Sequence, residues 1–117
     1  MIWVKFGSLM MFLAVTLGAF GSHALRGKLT DHYLDVYKTA VLYHMVHALG
    51  LFVVAWLSVQ FQDSKITLAG IFMIAGIVLF SGSLYLLAVT GHKWLGVITP
   101  LGGLSFLLAW LFLFLLK

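Results

Sequence analysis

Three histidines are the residues of this 117-residue chain best suited to bind a metal or take part in chemistry. His44 and His47 are three positions apart, so on a helix their imidazoles would lie on neighbouring faces of one turn. Nitrogens at that spacing can bind a metal ion or offer an axial ligand to haem, and His23 could add a third from an adjacent helix. A neutral histidine that hydrogen-bonds across a helix bundle is the commoner case. No cysteine or carboxylate is available within the apolar segments, so we predict no metal or other cofactor, and the three histidines are only weak candidates for metal ligands.

No catalytic constellation accompanies these histidines. The three acids, Asp31, Asp35 and Asp63, fall in polar breaks of the chain, so no Ser-His-Asp triad or carboxylate pair is predicted within an apolar segment. Ser22 and His23 are adjacent, and adjacent residues of a helix point apart. A proton-coupled exporter of this size would need an intramembrane acid, which is missing. The sequence therefore predicts a protein that is not an enzyme.

The elements that must hold the histidines are apolar helices. Apolar residues make up 63% of the chain and charged residues only 9%, whereas a soluble domain carries roughly 25% charged residues. This composition excludes a soluble domain, a disordered chain and a solvated nucleic-acid-binding module. Lipid cannot satisfy free backbone polar groups, and four segments cannot close a barrel. We therefore predict an all-α fold, an integral membrane antiparallel four-helix bundle in one domain over residues 1–117, with spans at about 6–25, 38–61, 66–90 and 95–116.

The polar side chains of these spans collect at one depth of the membrane. They lie in the half of the membrane nearer the breaks at residues 26–37 and 91–94, which we name the loop side. The other half, nearer the two termini and residues 62–65, is named the terminal side and is almost wholly apolar. Polar groups within a membrane usually face the bundle interior or a wet cavity. The pattern predicts a polar crevice open to the loop side; the alternative is that these groups only hydrogen-bond one another across helices. The candidate lining residues are His23, Tyr43, His44, His47, Ser81, Ser83, Tyr85 and Thr99.

Within that set we expect His23 and His47 to meet across the first two helices. The loop-side ends of those helices are tethered by a short break, which makes them neighbours. His47 lies about two and a half turns inside its helix, so a water, Tyr43 or the backbone at Thr99 and Pro100 could bridge the two imidazoles.

Small residues at four-residue spacing predict close contacts between helices. We assign helix packing to Ala14, Gly18, Ser22, Gly102 and Gly103.

Other local signals concern helix ends and lipid contacts. Thr30 is predicted to cap a helix that extends into the second span, with Asp31 in its first turn. Pro100 is predicted to bend or unwind the start of the fourth helix. Trp56 and Trp110 are expected to pack against lipid.

The distribution of positive charge gives an orientation. Four crossings put both termini on the same side of the membrane. The positive-inside rule favours termini outside, because four cations lie on the loop side and three on the terminal side. They are Arg26, Lys28, Lys38 and Lys93 on the loop side, and Lys5, Lys65 and Lys117 on the terminal side.

Four motifs resemble those of a known family of small membrane proteins. They are the segments GAFGSHAL at 18–25, YHMVHAL at 43–49, FSGSLY at 80–85 and GVITPLGG at 96–103. Together they are similar to the YgdD/YwdK-type family, DUF423. The resemblance implies four helices in a bacterial cytoplasmic (inner) membrane and no assigned activity. Members of that family commonly carry Gln where this chain has His44, which leaves His23 and His47 as the better-supported pair.

These observations predict a small multi-pass membrane protein whose crevice binds a small ligand or a lipid headgroup, in a carrier or accessory role. One alternative is a structural or interaction bundle that only packs or dimerises. A third is metal or haem binding through histidine. The expected partners are the lipid bilayer and either a second copy or a larger membrane complex, and no nucleic acid.

Overall fold

Helices account for the whole fold, and no strand is found among the described residues. The computed structural model describes residues 1–117, apart from the side chain of Ser22. Four continuous spans are long and apolar enough to cross a membrane, which confirms the predicted all-α membrane fold. The elements are α1 (Ile2–Ala24), α2 (Asp31–Gln60), α3 (Ser64–Gly76), a π turn (Ile77–Ser81), α4 (Gly82–Thr90), a 3-10 turn (Lys93–Val97) and α5 (Thr99–Phe114).

The second span begins well before its apolar run, at Asp31 rather than near residue 38. The backbone N–H of Tyr33 donates to the side-chain oxygen of Thr30 over 3.2 Å, so the predicted N-cap is confirmed. Asp31 in the first turn complements the positive end of the helix dipole. The early start matters because it carries Tyr37 onto the buried face of α2.

The third span consists of α3, the π turn and α4, and the hydropathy pattern does not signal the π turn. Each π-helical hydrogen bond reaches five residues back rather than four, as between the Gly82 N–H and the Ile77 carbonyl. Gly102 of α5 lies against this turn: a Cβ on Gly102 would be 2.2 Å from the backbone nitrogen of Phe80. The third and fourth spans are therefore joined backbone to backbone.

The fourth span begins as the 3-10 turn and continues as α5. Pro100 lies in the first turn of α5, where its missing N–H breaks no helical hydrogen bond. The local unwinding predicted near Pro100 is present, and it precedes the proline. Gly102 and Gly103 lie in regular helix.

The spans pack in chain order as a flat, open bundle. α1 packs chiefly on α2, α2 on the third span, and the third span on α5. The principal-axis extents are 48 × 26 × 16 Å, so the bundle is much thinner in one direction than in the others. Its apolar core lies toward the terminal side and consists of Leu51, Val54, Ile66, Ala69, Met73, Ile77, Phe106 and Ala109.

Candidate functional site

His47 is buried between α2 and α5 with both ring nitrogens hydrogen-bonded. The Trp110 Nε1–H donates to Nε2 of His47 over 2.9 Å, and Nδ1 of His47 lies 2.8 Å from the Tyr43 carbonyl oxygen. Because indole is a donor only, Nε2 must be the bare nitrogen and Nδ1 must carry the proton that goes to the carbonyl. The ring also stacks on Phe106, with centroids 3.5 Å apart. His47 is therefore a neutral imidazole held in one tautomer.

His44 faces a different seam, between α2, α4 and α1. Its Nδ1 lies 2.9 Å from the Tyr85 hydroxyl, and the two rings meet edge to face. The Tyr85 ring in turn lies against Tyr37, with centroids 5.2 Å apart. Nε2 of His44 is buried and has no hydrogen-bond partner among the described residues. His44 and His47, although one turn apart, thus serve separate helix contacts.

The hydroxyl side chains of the predicted crevice are paired as well. Ser81 donates to the Ala40 carbonyl over 2.8 Å, which ties the π turn to α2. Ser83 lies 2.6 Å from the Thr99 hydroxyl, which ties α4 to α5. Ser105, which is outside the predicted set, donates to the Phe72 carbonyl over 2.7 Å and ties α5 to α3. These groups are brought together pairwise across helices, not around one shared cavity.

The expected meeting of His23 with His47 is not among the contacts of the described residues. His23 lies in the last turn of α1 and is exposed, whereas the nitrogens of His47 are already bonded within α2 and to α5. The described residues also contain no group of three His, Cys, Asp or Glu side chains arranged to hold a metal ion. Binding of a metal ion by Nε2 of His47 would require the loss of its hydrogen bond with Trp110.

The predicted packing residues fall into different environments. Ala14 is fully buried, and a Cβ on Gly18 would be 3.1 Å from Cγ1 of Val41, so α1 and α2 approach closely there. Gly102 makes the joint with the π turn. Gly103 leaves room, since a Cβ there would be 3.8 Å from the Phe80 ring. Ser22 lies outside the described side chains.

A groove of about 640 Å³ lies between α2 and α5, here named the α2–α5 groove. Two residues of the predicted crevice, Tyr43 and His47, line it. The residues contributed by α5 recur at the spacing of one helix face. Several lining side chains are exposed, so the groove opens on the lipid-facing surface of the spans. Its lining consists of Tyr43, His47, Phe80, Pro100, Gly103, Leu104, Phe106, Leu107 and Trp110.

Trp110 is the lining residue that sequence reasoning assigned differently. It is 41% exposed, so its ring does face the surrounding lipid in part, but its N–H donates a hydrogen bond to His47. A signal was present in the spacing of Pro100, Gly103, Leu107 and Trp110, which repeats every three or four residues along α5. That spacing indicates that these residues share one face of the helix, but it does not indicate which helix packs against that face.

The four apolar spans and their internally paired polar groups define a small multi-pass membrane protein built from a single helical bundle. The chain belongs to the DUF423 family, whose description is "Protein of unknown function" and whose family model matches residues 17–103.

Curated relatives carry the same general description. A protein named UPF0382 membrane protein YwdK, from Bacillus subtilis, is 54% identical over 94% of this chain and 90% of its own length. A UPF0382 membrane protein of Staphylococcus haemolyticus is 44% identical over 96% of this chain and 91% of its own. One from Staphylococcus aureus is 43% identical over the same shares. No solved structure matches the chain significantly.

Proposed function

We propose that this protein is a non-enzymatic lipid-binding protein of the bacterial cytoplasmic membrane that holds a hydrocarbon chain in the α2–α5 groove, as a carrier or accessory subunit. The observation that carries the proposal is the groove itself, about 640 Å³ of space along one face of α5. Pro100 and Trp110 mark its ends, and ten residues of helix rise about 15 Å. A largely apolar site that extends along ten residues of helix suits one acyl or isoprenoid chain better than a compact polar metabolite.

The polar residues support a hydrocarbon occupant over a headgroup at this site. His47, Ser81 and Ser83 already have hydrogen-bond partners within the protein, and Nδ1 of His44 is paired with Tyr85. A headgroup would have to displace those bonds. The Tyr43 hydroxyl has no hydrogen bond to a described residue and is partly exposed beside the groove, so it is the group best suited to contact a polar atom of the bound molecule.

Native mass spectrometry of the detergent-purified protein tests the proposal, with two matched leucine substitutions. Gly103→Leu would extend a side chain into the groove, and the first atom of that side chain meets Phe80 only at ordinary contact distance. Gly96→Leu adds the same side chain to the same span where nothing lies within 4 Å. We expect the wild type and Gly96→Leu to retain a co-purified lipid-like species, and Gly103→Leu to lose it.

A structural or interaction role is the second candidate, favoured by the pairing of the polar groups across helices. Such hydrogen bonds hold a membrane bundle together without any ligand. Bare dimers or monomers from all three proteins would contradict lipid binding in the groove and support this second role.

We also propose that the loop side faces the cytoplasm, so that both termini are outside. The support is the excess of loop-side lysine and arginine. The chain has no cysteine, so single cysteines introduced at His92 and at Lys117 would report the two sides through labelling of intact cells. Labelling of the His92 position alone by an impermeant reagent would overturn this orientation.

A further inference from the structure

A second, smaller cavity lies on the other side of α2, at the loop-side end of the seam between α1 and α2. Its volume is about 160 Å³, and we name it the α1–α2 cleft. It lies apart from the α2–α5 groove, with which it shares no lining residue. Its lining is Gly18, Gly21, Leu34, Tyr37, Lys38 and Val41.

The cleft is shaped by two glycines and a fixed tyrosine ring. A Cβ on Gly21 would be 2.3 Å from the Tyr37 ring, so only glycine admits the ring at this position. The Tyr37 hydroxyl donates to the Leu17 carbonyl of α1, which holds the ring against α1 as one wall. At the other end, Gly18 lets Val41 approach α1 closely, since a Cβ on Gly18 would be 3.1 Å from Cγ1 of Val41. The cleft is therefore a consequence of how α1 and α2 pack.

One wall of the cleft carries a cation without a carboxylate partner. Lys38 is exposed, and the one ion pair found among the described residues joins Lys65 to Asp63. Asp35, one turn before Lys38, is therefore not within ion-pair distance of its ammonium group. Lys38 lies seven residues into α2, close to the loop-side surface, where lysine places its stem on apolar surface and its ammonium group among headgroups.

We propose that the α1–α2 cleft binds the phosphate group of an anionic phospholipid, with Lys38 as the pairing cation. Basic pockets between transmembrane helices are the kind of site that recognises such headgroups. Charge complementarity favours this occupant, because Arg26, Lys28 and Lys38 outnumber Asp31 and Asp35 in this segment and leave it net positive. The apolar remainder of the lining, Leu34 and Val41, suits the start of an acyl chain.

The test uses the full-length protein in neutral detergent, titrated with phosphatidylglycerol or phosphatidylcholine and monitored by native mass spectrometry. We expect phosphatidylglycerol to bind more tightly than phosphatidylcholine, and this preference to shrink as salt is raised. Lys38→Gln keeps most of the side-chain length and removes the charge. It should weaken phosphatidylglycerol binding about five-fold and phosphatidylcholine binding less, because the choline charge already offsets that phosphate. Lys5→Gln, an equal loss of charge on the terminal side, should change neither.

A second variant tests the cavity independently of the charge. Leu34→Trp should fill the cleft and weaken phosphatidylglycerol binding while Lys38 remains, with gel filtration and circular dichroism confirming the fold. Equal binding by the wild type and Lys38→Gln, or no preference between the two lipids, would overturn the proposal. Displacement of the lipid by millimolar inorganic phosphate would instead assign the site to a soluble anion and overturn it too. Gly103→Leu, which blocks the other groove, should leave the Lys38-dependent preference for phosphatidylglycerol over phosphatidylcholine intact, so the two proposals can fail separately.

Discussion

The two halves of the bundle are held together differently. On the terminal side, Leu51, Met73 and their neighbours form a continuous apolar cluster with no exposed surface at several positions. On the loop side, the contacts between helices include directional hydrogen bonds, such as Trp110 to His47 and Ser81 to the Ala40 carbonyl, beside the close contact of Gly102 with the π turn. The terminal-side half is held chiefly by shape, and the loop-side half by shape together with specific polar pairs.

This difference separates two requirements of a small membrane bundle, which are the stability of helix association and the register between helices. Lipid tails are as apolar as leucine, so helices gain little by hiding apolar surface, and close packing supplies most of the association. An interhelical hydrogen bond adds on average only about 0.6 kcal/mol, yet it fixes which residues face each other. We therefore expect the stability of both halves to depend on close packing, and most of the register to be set by the polar pairs of the loop-side half.

Gly102→Ala should have the largest effect, because it tests a loop-side contact that depends on shape. The new Cβ would be 2.2 Å from the Phe80 nitrogen, and backbone cannot move aside as a side chain does. We expect a loss of about 3 kcal/mol in the free energy of unfolding, measured by denaturation in mixed micelles. Gly103→Ala, whose Cβ would meet only the Phe80 ring at 3.8 Å, should be close to wild type. Equal stability of the two variants would show that the joint with the π turn is not tight.

Leu51→Ala should have the next largest effect and tests the apolar half directly. Leu51 is fully buried in the terminal-side cluster, so truncation leaves a cavity that costs about 2 kcal/mol in the same assay. Leu49→Ala, at a position that is 57% exposed, is the matched control and should change little. If both substitutions destabilise equally, the division between the halves is wrong.

Trp110→Phe should have the smallest effect, about 1 kcal/mol, since it removes one interhelical donor and keeps an aromatic ring. Its clearer signature is local. Nitrogen NMR of His47 should show the Nδ1–H tautomer in the wild type and a mixture of tautomers once the indole is gone. Trp56→Phe, at a position 59% exposed, should leave the His47 spectrum unchanged. A wild-type spectrum of the Nε2–H form would refute the assigned hydrogen-bond network.

Part of the candidate site could be predicted from the residues alone. The collection of polar groups in the loop-side half, with His44 and His47 among them, followed from their positions along apolar runs. Their partners did not follow, because a partner depends on how each helix is rotated about its axis. Trp110, 63 positions from His47 in the chain, therefore looked like a lipid-facing residue. For the same reason, the sequence could not show that Nε2 of His44 is buried without a hydrogen-bond partner.

The amino-acid sequence is enough to predict the number of membrane spans, the N-cap at Thr30 and the concentration of polar groups in one half. These are local properties of composition and spacing, which any helical arrangement must respect. The assembled helices were needed to show that the π turn interrupts the third span, that Gly102 rather than Gly103 makes the tight joint, and that two separate cavities lie against α2. Those features depend on the mutual rotation and depth of helices distant in sequence, and the hydropathy pattern specifies neither of them.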